Sequence, residues 1–88
     1  MKIIISPRAE KELKKITKID QIAIARKIRL IKESPVILNE EKLSGYKNIY
    51  RVRIGEYRIV YRRTVKEIYI VLIGHRKDIY RLVDQFFR

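Results

Sequence analysis

Two runs of alternating residues meet at Gly55-Glu56, and no other feature limits the fold of this chain as much. Tyr50, Val52 and Ile54 alternate with Arg51 and Arg53, and a second strand-like run extends from Tyr57 to Arg63. A period of two is the mark of a β-strand. A two-residue connection beginning with glycine closes such runs into a hairpin, because glycine takes the positive φ at little steric cost. The turn also sets the register. Ile54 then faces Tyr57, Arg53 faces Arg58, and Val52 faces Ile59. Arg51, two residues from Arg53, shares its face. Three guanidiniums therefore gather on one face of one hairpin, although like charges placed opposite each other weaken a sheet. Either the long side chains splay into solvent, or they form a phosphate-binding surface whose repulsion a ligand relieves.

The rest of the chain supplies elements to pack on that hairpin. Met1 to Ile5 reads as a strand. Ser6 is a good N-cap and Pro7 suits the first helical position. Ala9, Leu13 and Ile16 recur at helical spacing. The segment 17–20 interrupts, and Asp20 is expected to cap a second helix with Ile24, Ile28 and Ile31 along one stripe. Ser34-Pro35 ends it, since the residue before proline avoids helical angles. Residues 36–48 read as a loop anchored by Leu38 and Leu43. Thr64 to Glu67 turns the chain. The run Ile68 to Ile73 hardly alternates, so both its faces should be covered and the strand should be interior. A tight reversal at Val65-Lys66 would set Tyr57 opposite Gly74 and Arg58 opposite Ile73. Asp78 is expected to cap a last helix carrying Ile79, Leu82, Val83, Phe86 and Phe87. The order β-α-α-β-β-β-α predicts an α+β fold of one domain, residues 1–88. A helical hairpin packs on a small, mainly antiparallel, twisted sheet.

Charge narrows the choice of partner. Lys and Arg number 22 against 10 Asp and Glu, a net charge of +12. Such an excess disfavours the compact state and points to a polyanion, nucleic acid or an acidic protein. The cations also change in kind along the chain. Residues 1–45 hold 8 Lys and 3 Arg, whereas residues 46–88 hold 3 Lys and 8 Arg. Arginine carries the rigid fork that grips phosphate oxygens two at a time. The chain has no cysteine and one histidine, so a thiolate metal site is excluded and no metal or cofactor is expected. Its apolar runs are far shorter than a membrane span. A cytoplasmic protein that does not engage membranes is expected.

The predicted topology draws further residues toward the arginines. His75 and Arg76 should leave the last strand beside Arg58, and Asp78 should hold Tyr80 close by. Arg51, Arg53, Arg58, His75, Arg76 and Tyr80 would then ring one concavity, with Arg62, Arg63 and Arg81 outside it. Glu40, Glu41 and Glu56 fall in loops and turns and read as solvated. RNA brings its own nucleophile, the ribose 2′-OH. Cutting it requires a base, an acid for the 5′-oxygen, and cations on the developing pentavalent phosphate. Histidine is the side chain whose ordinary titration lies near neutrality, which makes His75 a candidate base. Tyr80 is suited to stack on a base or donate a proton.

Two blocks, Tyr50-Arg51-Val52-Arg53-Ile54-Gly55-Glu56-Tyr57-Arg58-Ile59-Val60-Tyr61 and Gly74-His75-Arg76-Lys77-Asp78-Ile79-Tyr80, resemble the RelE/ParE toxin superfamily, and its RelE branch in particular. Leu43-Ser44-Gly45 and the opening Ser6-Pro7-Arg8-Ala9-Glu10-Lys11-Glu12-Leu13 extend the likeness over nearly the whole chain. The resemblance implies a toxin of a type II toxin–antitoxin pair. Such a toxin is an mRNA endoribonuclease that enters the ribosomal A site, where rRNA is its other partner, cuts the bound mRNA without metal, and leaves a 2′,3′-cyclic phosphate. It implies RNA contacts for Arg51, Arg53, Arg58 and Lys77, leaving-group chemistry for Arg76, and base stacking for Tyr80. It also implies an acidic cognate antitoxin that wraps the toxin and contacts its last helix, the toxin alone being a monomer. At Arg53 the family uses a lysine as base, and arginine is a poor proton acceptor. Either His75 takes that role, or the 2′-OH is activated electrostatically, or cleavage is slow. The alternatives are the ParE branch, which inhibits gyrase and lacks the nuclease residues, and a catalytically weak module that binds RNA or an antitoxin.

Overall fold

The hairpin forms with the register that its turn dictates. The computed structural model describes residues 2–34 and 39–87. In it β3 (Ile49–Ile54) and β4 (Tyr57–Arg63) pair antiparallel, with Arg53 opposite Arg58 and Val52 opposite Ile59. Gly55 has a φ of +56° and Glu56 does not share the positive sign. That is the pattern of a II′ turn, whose twist matches the strands it joins.

Around the hairpin the sheet grows on both sides. β5 (Glu67–His75) pairs antiparallel with β4, and β1 (Lys2–Ile5) lies parallel to β5. Within the segment expected to be a plain loop, β2 (Glu41–Lys42) pairs antiparallel with β3. The sheet order is β1-β5-β4-β3-β2. Two helices, α1 (Pro7–Lys15) and α2 (Lys18–Glu33), cover one face, where Ile24, Ile28 and Ile31 meet Val52, Ile59, Tyr61 and Ile70. A third, α3 (Ile79–Phe86), covers part of the other, where Ile79 and Val83 meet Val60, Val71 and Leu72. β5 is thus interior and apolar on both sides, as its lack of alternation required. No helix among the described residues is long and apolar enough to cross a membrane.

Local chemistry sets most boundaries. Pro7 opens α1, and the Ser6 hydroxyl accepts from the Ala9 amide at 3.0 Å. The second helix starts earlier than Asp20. Thr17 is its N-cap residue, and its hydroxyl donates to Asp20 at 3.0 Å, which leaves Asp20 inside the first turn. The Gln21 amide ties the two helices together, donating to the Leu13 and Ile16 carbonyls at 2.9 and 3.1 Å. Asp78 precedes α3, and its backbone carbonyl accepts from the Leu82 amide at 3.0 Å. Met1, Pro35 and Leu38, expected as strand start, helix stop and loop anchor, lie outside the described residues.

One irregularity shapes everything downstream. Tyr61 pairs with Ile70, as a tight reversal predicts, but Val60 pairs with Leu72. Val71 is the extra residue of a β-bulge, and such a residue leaves the ladder. The buried Ser6 hydroxyl donates to the Val71 carbonyl at 2.7 Å while it caps α1. An orphaned backbone acceptor in the core is thereby satisfied. Beyond the bulge Arg58 stands opposite Gly74 and not Ile73, and Tyr57 stands opposite His75.

Candidate functional site

Pairing places the arginines on the α3 face of the sheet. Arg51 and Arg53 alternate with the buried Val52, so they point away from α1 and α2. Arg58, opposite Arg53, shares their side. Gly74 is next in that row, and α3 presses against it. A Cβ at Gly74 would lie 2.9 Å from Leu82 Cδ1 and 3.2 Å from Ile79 Cδ1. The missing side chain lets the helix sit low and brings its first turn over β3. The Tyr80 ring consequently covers Arg51, 5.0 Å from guanidinium carbon to centroid, and its hydroxyl accepts from Arg51 Nη1. Asn39, Glu41, Arg51, Arg53, Arg58, Arg76 and Tyr80 line one cavity of about 370 Å³.

The four guanidiniums of this cavity are not equivalent. Arg51 Nη2 lies 2.6 Å from Glu41 Oε2. Arg76 Nε lies 2.8 Å from Glu56 Oε2, and the Arg76 amide donates to the Glu56 carbonyl at 2.7 Å. Arg58 reaches only backbone carbonyls, those of Tyr57 at 3.1 Å and Gly55 at 3.4 Å. Arg53 makes no side-chain hydrogen bond or ion pair with the described residues. Arg58 titrates below the ordinary arginine range. Partial burial disfavours its charge, Arg53, Arg51 and Arg76 repel it, and Glu56 offsets part of this. An anion placed between Arg53 and Arg58 would relieve that repulsion and meet planar donors suited to a phosphate. Among the described residues no three of His, Cys, Asp or Glu gather to hold a metal ion.

One predicted member of the ring, His75, and one residue expected to touch RNA, Lys77, are elsewhere. His75 pairs with Tyr57, on the face of the helical hairpin, and the two rings meet edge-on at 5.7 Å. Its Nδ1 accepts from the Lys77 amide at 3.1 Å. The bulge is the cause. Without it Ile73 and His75 would share the side of Arg58, but one extra residue puts Gly74 there and turns His75 to the opposite face. Lys77 is exposed in the turn that follows and does not line the cavity. The expectation of solvated carboxylates fails for Glu40, which is largely buried and receives both the Tyr61 hydroxyl and Arg63. Glu41 and Glu56 are exposed as expected, but they pair with Arg51 and Arg76. Arg63, outside the ring as expected, is half-buried against the rings of Tyr50 and Tyr61 at 4.9 and 5.8 Å. Asn39 and Glu41 line the cavity unforeseen. The only signal for Glu41 was a charge complementary to Arg51, and it could be used only once β2 was known to pair there.

This architecture is that of RelE-type toxins. The toxin fold in a RelB–RelE antitoxin–toxin complex from Methanococcus jannaschii superposes with a TM-score of 0.76 at 28% identity, covering 90% of this chain and 96% of that one. The intact RelBE toxin–antitoxin complex of E. coli gives 0.72 at 25% identity, covering 84% and 94%. A YoeB dimer from Staphylococcus aureus also gives 0.72 at 25% identity, covering 85% and 95%. No curated protein matches the sequence. Residues 3–80 match the family described as the ParE toxin of type II toxin–antitoxin system, parDE. The chain belongs to that family, within the RelE/ParE superfamily that its two sequence blocks resemble.

Proposed function

We propose that this toxin is a ribosome-dependent mRNA endoribonuclease of the RelE kind, acting in the A site without metal. The observation that carries the reading is the convergence of Arg51, Arg53, Arg58, Arg76 and Tyr80 on one cavity. In the proposed reaction the 2′-oxygen attacks the adjacent phosphorus, the bond to the 5′-oxygen breaks, and a 2′,3′-cyclic phosphate remains. Arg53 and Arg58 hold the phosphate and stabilise the charge that builds on it. Arg76, at the cavity edge, serves the departing 5′-oxygen. Tyr80, 63% exposed over Arg51, offers its free face to a base. His75 faces away, and arginine is a poor proton acceptor. Of the two routes that activate the 2′-OH, electrostatic activation by the clustered guanidiniums is therefore left, with the 2′-OH proton passing to water.

A cognate antitoxin is the second partner we infer. The M. jannaschii and E. coli relatives are antitoxin–toxin complexes. In this chain the +12 charge suits an acidic segment, and α3 leaves Tyr80 and Phe86 exposed for it to cover. For the uncomplexed toxin we infer a monomer, as the family resemblance implies.

Expression of the intact chain and of Arg76→Ala, with mRNA ends mapped on translating ribosomes, tests the nuclease reading. Cuts in codon register that disappear in the variant are expected. Growth arrest without such cuts refutes it. The family match to ParE toxins favours one other reading, inhibition of gyrase without RNA cleavage. A supercoiling assay separates the two, because a nuclease leaves gyrase untouched.

A further inference from the structure

The arginine cavity is not empty of negative charge. Glu41 stands directly opposite Arg51 in the β2–β3 register, and the pair closes to 2.6 Å. Each terminal nitrogen of Arg51 already has a partner, Nη1 the Tyr80 hydroxyl and Nη2 Glu41, although each carries a second N–H. A phosphate oxygen that comes to the N–H now used by Glu41 would need the place of the carboxylate oxygen, since charge-assisted N–H···O bonds settle at about 2.7–2.9 Å, and one that comes to the other N–H would stand beside that carboxylate and be repelled by it. The side chain of Arg51 is only 13% exposed, whereas that of Glu41 is 66% exposed. The cation is thus fixed in the wall, and the anion sits at the mouth and is free to leave.

The neighbouring residue keeps Glu41 at that mouth. Glu40 lies on the other side of the sheet edge, where Tyr61 and Arg63 both donate to it. Successive residues of an extended segment point to opposite faces. Anchoring Glu40 among the aromatic rings therefore directs Glu41 to the arginines. β2 is two residues long and belongs to the edge of the sheet, so little else holds it there.

We propose that Glu41 is an internal substitute for an RNA phosphate. It occupies Arg51 in the free toxin, lowers the affinity of the cavity for stray RNA, and yields when a correctly placed strand arrives. The proposal rests on the reading of the cavity as an RNA site and assigns Glu41 a role in selectivity. Arg53 and Arg58 remain open to the first phosphate, and Arg51 is released only when a second anion competes with Glu41.

The test uses the full chain and a fluorescent RNA trinucleotide carrying one 2′-deoxyribose, which cannot be cut there, with binding followed by anisotropy at low salt. Glu41→Gln keeps the shape and removes the charge, and at this exposed position it should leave the melting curve unchanged. Binding is expected to tighten about five- to tenfold, the scale of one like charge removed a few ångströms from a phosphate in a partly solvated site. The gain should shrink as salt rises. In an Arg51→Ala background the same substitution should change affinity less than twofold. Equal binding by the intact chain and Glu41→Gln overturns the proposal and leaves the nuclease reading standing. A gain of the same size without Arg51 also overturns it, as a general effect of net charge. Failure of both proteins to bind overturns the RNA site itself and the gate with it.

Discussion

Arg63 and Arg58 belong to the same strand and meet opposite conditions. Arg63 points to the face of the helical hairpin. It lies against two tyrosine rings, and Glu40 neutralises it. Arg58 points to the α3 face, where Arg53 stands opposite and Arg51 and Arg76 are near, with only backbone carbonyls as partners. One face satisfies its cation and the other collects cations that repel one another. The contrast separates a cation that the fold neutralises from cations that it leaves repelling one another. A sheet does not gain stability from facing arginines, and the phosphate of the proposed RNA substrate would relieve their repulsion.

Four substitutions test that contrast. Arg58→Ala should reduce mRNA cleavage about 100- to 1000-fold, the scale for removing one donor to a developing oxyanion, while the protein stays at least as stable as before, since the repulsion from Arg53 ends with it; a parallel fall in melting temperature would break the contrast. Gly74→Ala should cost about 1–3 kcal/mol, because the new methyl group meets Leu82 and Ile79; urea titration measures it, and a weakened Arg51–Tyr80 contact should lower cleavage as well. Tyr61→Phe keeps the ring and deletes the hydroxyl that Glu40 accepts, and should cost about 1–2 kcal/mol with cleavage retained; unfolding and cleavage assays on one preparation decide it. Arg53→Thr should raise stability by a few tenths to about 1 kcal/mol by ending the cross-strand repulsion, seen as a melting temperature higher by a few degrees, and should lower cleavage.

Much of this fold is local and therefore legible. The Gly55 turn fixes a register, Ser6-Pro7 opens a helix, and the unbroken apolar run of β5 announces a strand covered on both sides. The lining of the candidate site was legible in part. Arg51, Arg53 and Arg58 follow from alternation across one tight turn, and Arg76 and Tyr80 fall near them because α3 follows β5 closely. His75 was misplaced for a definable reason. Parity counted back from the Val65-Lys66 reversal holds only while no residue is inserted, and the bulge at Val71 inserts one. Its stabilising partner, the Ser6 hydroxyl, is 65 positions away in the chain, beyond what a reading of neighbours can supply. The carboxylates were missed similarly, since Glu40 and Glu41 gain partners only once β2 is seen to pair with β3.

Sequence alone settled which residues alternate, which turn, and how many cations stand on the hairpin, because φ preferences and side-chain parity act over a few residues. Tertiary structure alone decided which face His75 takes and which carboxylates reach the arginines. Those outcomes depend on contacts between distant segments, and a single unpaired residue in one strand is enough to reverse the parity of everything after it.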